Sequence, residues 1–265
     1  MVNLYDGFVR DFQVFLIILL RLVGLFITAP FFSGSALPFR FKLGLGFFVS
    51  LIAVPLVAQM GYKEGADILE FGLNCLNSFI FGAGVGMFIY IIVSAFQVSA
   101  QIFSIQMGLG MNEVFDPVSE TQVPAIGNLF GVLILLLLVR ADAHFLMMQA
   151  IVDSFKNTAP LSVQTIGVVI KGFVSAIMTM FDIGLKISLP IIGVTILMDM
   201  AMAIISRVAP QFNVMIMGFN IKLIVGFIVI WLILPSIVDL GGNVISGMLR
   251  DTNDLIRLLK PAQPA

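Results

Sequence analysis

Apolar residues in this chain come in long uninterrupted runs and do not alternate with polar ones. The runs cover approximately residues 12–32, 43–60, 71–105, 121–139, 143–156, 164–181, 184–206 and 212–238. A helix needs about 20 apolar residues to cross a bilayer core, and several runs approach that length. A membrane β-barrel would instead show short alternating segments. The pattern predicts an all-α integral membrane protein with about six spans, in which residues 71–105 form a bent helix or a hairpin.

Polar or irregular segments separate the runs and predict where helices end. They are "SGSALPFRFK" (33–42), "GYKEGADILE" (61–70), "SIQMGLGMNEVFDPVSETQVPAIG" (104–127), "NTAPLS" (157–162) and "VAPQFN" (208–213). Proline and glycine disfavour helix continuation in such segments. The mid-chain segment is the most unusual because it places three acids, two prolines and several glycines between two apolar runs. The polar stretch 251–265 is predicted to be solvent-exposed.

Composition strengthens the membrane prediction. The 265 residues are 60 % hydrophobic and 11 % charged, whereas soluble domains carry about 25 % charged residues. The mean hydropathy is +1.11, so most of the exterior must face lipid or other protein. The net charge of −1 and the lack of a basic cluster argue against nucleic-acid binding.

Sequence motifs of common enzymes are missing from the chain. It contains no G-x-x-x-x-G-K-[ST], G-x-S-x-G, H-E-x-x-H or C-x-x-C. The single histidine, His144, lacks the partners that a metal site or a catalytic triad requires. The single cysteine, Cys75, cannot form an intramolecular disulfide and is interpreted as a small buried hydrophobic residue. The sequence therefore predicts a protein that is not an enzyme and has no cofactor or metal.

Six charged residues lie within or at the edges of apolar runs. Each would cost roughly 2.5–3.5 kcal/mol at a lipid-exposed helix centre. Asp182 and Lys186 are four residues apart, which predicts an ion pair on one helix face. Two of the runs are joined by "VAPQFN" and carry both signs of charge, so they are predicted to form a self-neutralising helical hairpin; a proton or ion relay is the alternative. The six residues are Arg21, Asp182, Lys186, Asp199, Arg207 and Lys222.

A stripe of uncharged polar residues precedes the mid-chain segment. Its spacing of four, three, four and three places the side chains on one helix face. In lipid they would lack hydrogen-bond partners, so they either bond to neighbouring helices or line a water-filled path. Gly82 and Gly86 have the small-xxx-small spacing that allows helices to approach closely. The stripe consists of Tyr90, Ser94, Gln97, Gln101 and Ser104.

Three stretches carry a resemblance to a known family. They are "RLVGLFITAPFFSGSALPFRFKLGLG" (21–46), "QMGLGMNEVFDPVSETQVPAIGNLF" (106–130) and "LPIIGVTILMDMAMAIISRVAPQFNVMIMGFNIKLIVG" (189–226). In this order they resemble the FliR family of flagellar biosynthesis proteins, which includes the corresponding subunit of virulence-type injectisomes. The most specific pieces are Asp116-Pro117 with Gln122 and Pro124, and residues 207–213. The chain departs from the family pattern around His144, where Ala143 and Phe145 flank the histidine.

The resemblance implies a single membrane domain over 1–265 within a helical multi-subunit assembly. Residues from about 1 to 180 would resemble FliP, and residues from about 181 to 250 would form a FliQ-like helical hairpin, followed by the polar tail 251–265. It implies a subunit of the type III export gate, located in the bacterial inner membrane within the flagellar basal body. Its partners would be FliP, FliQ, FlhA, FlhB, membrane lipid and unfolded flagellar export substrates.

The resemblance also implies that the mid-chain loop, approximately 106–122, is a plug in the export channel. Methionine and phenylalanine side chains could seal a narrow lumen by flexible apolar contact, and glycines would let the backbone bend. Without the family, the same loop would be interpreted as an ordinary polar connector. The predicted plug residues are Met107, Gly108, Met111, Phe115, Asp116, Pro117, Gln122 and Pro124.

Three other functions stay open from the sequence. The chain could be an injectisome export-gate subunit, or a structural scaffold that organises FliP and FliQ without lining the path. It could also be a proton- or ion-conducting secondary transporter that uses Asp182, Asp199 and the polar stripe.

Overall fold

The computed structural model describes residues 2–33, 38–60, 67–109, 125–156, 163–211 and 214–258. Regular structure in these ranges is helical. The helices are α1 (Val2–Thr28), α2 (Pro30–Ser33), α3 (Phe39–Gln59), α4 (Ile68–Gln106), α5 (Ala125–Arg140), α6 (Ala143–Asp153), a 3-10 turn (Ser154–Lys156), α7 (Val163–Val208) and α8 (Val214–Leu258). The all-α prediction is confirmed for the described part of the chain.

Helix ends fall where the polar segments predicted them, but two apolar runs are longer helices than expected. Of the two alternatives for the run 71–105, the hairpin is wrong, because the run lies in one helix, α4, of 39 residues. The runs 164–181 and 184–206 join in α7, which has 46 residues and contains Pro190. The last helix, α8, continues into the polar tail as far as Leu258. Proline is tolerated inside membrane helices when neighbouring groups satisfy the freed backbone.

Five described helices are long and apolar enough to cross a membrane. They are Gly7–Thr28, Phe39–Gln59, Ile68–Gln106, Val169–Val208 and Met217–Gly247. The bent pair formed by α5 and α6 raises the count to six if it makes one span. About six spans, as predicted, is the upper value. Only 22 % of the α3 and α7 spans and 17 % of the α8 span are buried within the chain, against 44 % for α1 and α4, so lipid or other subunits must cover most of α3, α7 and α8.

The chain divides into two compact units. The first contains residues 1–92, 138–177 and 245–265, and the second contains 93–137 and 178–244. The first unit is organised around α1, which contacts α2, α3 and α6. The buried face of α3 consists of small residues and a valine at helical spacing (Gly46, Ser50, Ala53, Val57), which lets α3 lie close to α1.

Glycines bring α1 and α4 together within the first unit. A Cβ atom added at Gly82 would overlap the backbone carbonyl of Arg21, and one at Gly86 would overlap the Thr28 hydroxyl and lie 2.9 Å from the Ala29 nitrogen. On the facing helix, a Cβ at Gly24 would overlap the Phe79 carbonyl oxygen and lie 2.8 Å from the Ala83 nitrogen. The Thr28 hydroxyl donates to the Ala83 carbonyl at 3.0 Å. The predicted close approach at Gly82 and Gly86 is confirmed.

The second unit contains a hairpin formed by residues 178–208 of α7 and 214–244 of α8. Gly218 faces Met202 across it, with a hypothetical Cβ 3.1 Å from the Met202 methyl group, so the two helices run antiparallel from the break at 209–213. The hairpin also packs on α4, because a Cβ at Gly184 would lie 3.3 Å from the Ala95 carbonyl oxygen. Phe103 of α4 and Phe130 of α5 meet edge to face, with 5.2 Å between ring centroids. These contacts place the end of α4 beside the hairpin.

Candidate functional site

The candidate site is the point where α4 ends and the mid-chain loop begins. We call residues Gln106 to Leu109 the root of the loop. The root lies in the second unit with the hairpin of α7 and α8. Of the predicted plug residues, the structure describes Met107 and Gly108. The others lie outside the described residues: Met111, Phe115, Asp116, Pro117, Gln122 and Pro124.

The root has the geometry of a Schellman helix stop. The Leu109 amide donates to the Ser104 carbonyl at 2.9 Å, and the Gly108 amide donates to the Ile105 carbonyl at 3.0 Å. Gly108 has φ +80°, the left-handed conformation that this motif requires and that glycine adopts without a Cβ penalty. The helix therefore ends at a defined residue, and the direction of the chain entering the loop is fixed.

Both residues at the turn of the root pack against α8. The Met107 side chain is fully buried and fills a notch at Gly226, where an added Cβ would lie 2.7 to 2.8 Å from the Met107 Cγ, Sδ and Cε atoms. Gly108 lies against the Phe219 ring, and a Cβ on it would be 3.0 Å from the ring. On the other side, the Thr195 hydroxyl of α7 lies 3.4 Å from the Gln106 Oε1 atom. Both helices of the hairpin thus contact the root.

The polar stripe does not have one uniform environment. Tyr90, Gln97 and Gln101 are exposed on the chain. The Ser94 hydroxyl donates to the Met180 sulfur of α7 at 3.0 Å. Ser104 is buried, and its hydroxyl has no hydrogen-bond partner among the described residues. One part of the stripe therefore bonds to a neighbouring helix, and another part is a polar surface exposed on the chain.

The charges of α7 and α8 form two ion pairs. Lys186 Nζ donates to Asp182 Oδ2 at 2.6 Å, and both side chains are more than half exposed. Lys222 of α8 pairs with Asp199 of α7, and the Lys222 side chain is only 21 % exposed. The second pair joins the two helices of the hairpin within one chain. Arg207 is exposed in the last turn of α7.

Arg21 lies in the interior of the first unit. Its side chain is 1 % exposed, and its guanidinium donates to the Ser154 hydroxyl at 2.7 Å and to the Ser78 hydroxyl at 3.2 Å. The Phe155 ring centroid lies 3.7 Å from the guanidinium carbon, and the Phe81 centroid lies 4.8 Å from it. These contacts tie α1 to α4 and to the 3-10 turn.

The geometry of the root is that of apolar packing, and the charges of the adjoining hairpin are neutralised in ion pairs. In the described part of the chain, no three His, Cys, Asp or Glu side chains are grouped so that they could hold a metal ion. His144 stands at the start of α6, and its ring stacks on Phe31 with 5.4 Å between centroids.

Comparison with known proteins decides the family. The family described as bacterial export proteins, family 1, matches residues 12–248. The chain belongs to this family. It is also similar to proteins named flagellar biosynthetic protein FliR. The Bacillus subtilis protein is 26 % identical over 94 % of this chain and 96 % of its own length. The Borreliella burgdorferi protein is 28 % identical over 91 % and 90 %, and the Escherichia coli protein is 26 % identical over 90 % of each.

The resemblance to the FliR family that the three sequence blocks indicated is confirmed. This FliR-family chain is a helical membrane protein with five candidate spans, or six with the bent pair. The roles predicted for its plug residues, polar stripe and charges stay predictions.

Sequence reasoning named Lys222 but missed Phe219 and Gly226, the two residues of α8 that contact the root. Gly218, Lys222 and Gly226 are four residues apart, so they share one helix face. Gly218 faces Met202, Lys222 pairs with Asp199, and Gly226 holds Met107. Two glycines that flank a lysine at this spacing were the available signal. What they face could not be read from α8 alone.

Substitutions can distinguish two roles for Asp199 and Lys222, a structural ion pair and a proton relay. We expect Asp199→Asn or Lys222→Gln alone to destabilise the hairpin, because each leaves one charge without its partner, and the double substitution to restore much of the loss. The expected coupling free energy is about 0.5–3 kcal/mol. The measurement is thermal unfolding of the detergent-purified complex, together with protein export in cells.

The exposed pair of Asp182 and Lys186 serves as the control, since exposed pairs contribute little. If the double substitution at 199 and 222 were stable but exported nothing, a charge relay would be favoured over structural pairing.

Proposed function

We propose that this chain is a subunit of the flagellar type III protein-export gate, located in the bacterial inner membrane within the flagellar basal body. With FliP and FliQ it would form the channel through which unfolded flagellar proteins leave the cell, alongside FlhA and FlhB. The observation that carries the proposal is the family match over residues 12–248. The similar proteins named above are all flagellar FliR proteins, which favours the flagellar gate over the injectisome.

The division into a FliP-like part and a FliQ-like hairpin is part of the proposal. Two features support it. First, α7 and α8 form an antiparallel hairpin with its own ion pair. Second, their spans are mostly unburied within the chain, and neighbouring subunits would cover surfaces of that kind. The exposed amides of Gln97 and Gln101 would face such partners or the channel.

The mid-chain loop is proposed to close the channel. The helix stop at Gly108 ends α4 at a fixed residue. The loop would therefore begin at a fixed point beside the hairpin. The apolar seal would come from Met111 and Phe115, whose side chains can fill an irregular opening.

Deleting residues 108–118 tests this role. We expect the complex to assemble, since the helices are retained, and the membrane to leak small ions and dyes because the seal is gone. The measurements are co-purification of the chain with its membrane partners and dye uptake by cells that produce the complex.

A matched variant keeps the loop length and replaces Met111 and Phe115 with serine. It should leak as well if apolar contact makes the seal. An assembled deletion complex with unchanged permeability would contradict the plug and leave the family membership intact. Proton flux through the purified chain alone would instead favour a secondary transporter.

A further inference from the structure

We propose that Met107 is a latch for the loop, and that Gly226 of α8 is its socket. In the closed channel the Met107 side chain fills the notch at Gly226 and holds the root against the hairpin. When the loop moves to open the channel, Met107 leaves the notch. This inference rests on the proposed gating role of the loop, and it gives Met107 a task different from sealing the lumen.

The fit of the Met107 side chain into the notch at Gly226 is the first support for the latch. Met107 is fully buried, although it is the residue at which α4 gives way to the loop. Three atoms of its side chain would lie 2.7 to 2.8 Å from a Cβ at position 226. Real Cβ atoms do not approach other atoms so closely, so any side chain at 226 requires the Met107 side chain to shift from its seated position.

The chemistry of the Met107 side chain suits a contact that must form and break. A thioether is flexible and makes no strong hydrogen bond, so withdrawing it leaves no buried polar group behind. Its attachment to the protein is dispersion and apolar burial, which many small contacts supply. A charged or hydrogen-bonded residue in the same place would leave an unpaired partner in the notch when the root moved.

The hinge required for release is next to Met107. Gly108 has φ +80°, and glycine can change between left-handed and right-handed backbone conformations without a steric barrier from a side chain. Of the four root residues, Met107 is the one that is buried, and two other contacts of the root are described. They are the edge of the Phe219 ring against Gly108 and the 3.4 Å approach of Thr195 to Gln106. Met107 is therefore the main anchor of the root.

The socket at Gly226 also lies close to the ion pair that joins α7 and α8. Gly226 lies four residues after Lys222 on the same face of α8, and Lys222 pairs with Asp199 of α7. A displacement of α8 relative to α7 would move the notch and strain the ion pair together. A change in the hairpin would thus reach the loop through the latch.

The first test fills the notch. Gly226→Ala should displace Met107, and the assembled complex should leak dye to the level of the loop deletion. Gly193→Ala is the matched control, because an added Cβ at Gly193 meets nothing within 4 Å; it should assemble and stay closed. Met107→Ala should leak like Gly226→Ala, and the double variant should leak no more than either single one, because both break the same contact. Additive leaks would overturn the latch.

The second test locks the latch. In a Cys75→Ser background, Met107→Cys combined with Gly226→Cys should form a disulfide in the assembled complex when diamide is added, which takes up the two electrons and two protons that the thiols lose. The locked complex should fail to export flagellar protein, and dithiothreitol should restore export. Each single-cysteine variant, treated in the same way, is the control.

The outcomes separate the latch from the gate. If the loop deletion leaks but Gly226→Ala stays closed, the latch is wrong and the gate stands. If the locked complex exports at the rate of its reduced form, the release of Met107 is wrong. If the deletion does not leak, the gate itself fails, and the latch fails with it.

Discussion

Gly82→Ala is expected to prevent the chain from accumulating in its folded form, whereas Gly84→Ala, two residues away on the same helix, is expected to be tolerated. A Cβ at position 82 would overlap the carbonyl group of Arg21, and one at position 84 would meet nothing within 4 Å. The clash is with backbone, so no side-chain rotation relieves it, and α1 and α4 would have to separate. Overpacking usually costs about 1–3 kcal/mol, and we expect a loss at or above the upper end of this range.

The comparison is made by measuring the amount of chain that co-purifies with its membrane partners and the thermal unfolding of the purified complex. Both substitutions remove one glycine from the same helix, so their effects on helix propensity cancel. The difference between them reports the contact with α1. Equal accumulation of the two variants would mean that α1 and α4 do not pack through Gly82.

Arg21→Ala is expected to be the second severe substitution. It removes two hydrogen bonds from a charged group and leaves a cavity between Ser154, Ser78 and Phe155. A loss of roughly 3 kcal/mol or more is expected. The loss of stability in Arg21→Lys should lie between the wild type and Arg21→Ala. An ammonium cannot match the planar guanidinium, which reaches two serines and stacks on a ring. Arg21→Met should cost less than alanine, because it fills the space without a charge to desolvate.

Thermal unfolding of the purified complex measures this series. Arg140→Ala is the control, since Arg140 is the same residue type in an exposed position and should change stability little. A series in which alanine, methionine and lysine at 21 all behaved like the wild type would show that the buried guanidinium does not hold α1, α4 and the 3-10 turn together.

Much of the helix layout could be predicted from the sequence because its signals are local. Proline, glycine and charge in short segments marked the helix ends, and the four-residue spacing of Asp182 and Lys186 predicted their ion pair. The same pair also explains one error. The two charges interrupt the apolar pattern, yet they neutralise each other along one helix, so α7 passes through them without a break.

The parts that the sequence did not predict depend on what each residue faces. Gly82 and Gly86 stood out because they are close together, but Gly24, on the opposite side of the same contact, has no such neighbour. Gly226 stands in an apolar helix like any packing glycine. What distinguishes it is its contact with Met107, 119 positions earlier in the numbering. No periodicity within α8 predicts that contact.

The helix stop at Gly108 makes the mid-chain loop modular. Among the described residues, the last backbone hydrogen bond of α4 is the one that the Leu109 amide donates, so residues added or removed after this point do not rotate the faces of α4 that precede it. The next described helix begins at Ala125. Between these two points the loop can change in length and composition, in related proteins or by engineering, while the packing of the surrounding helices keeps its register.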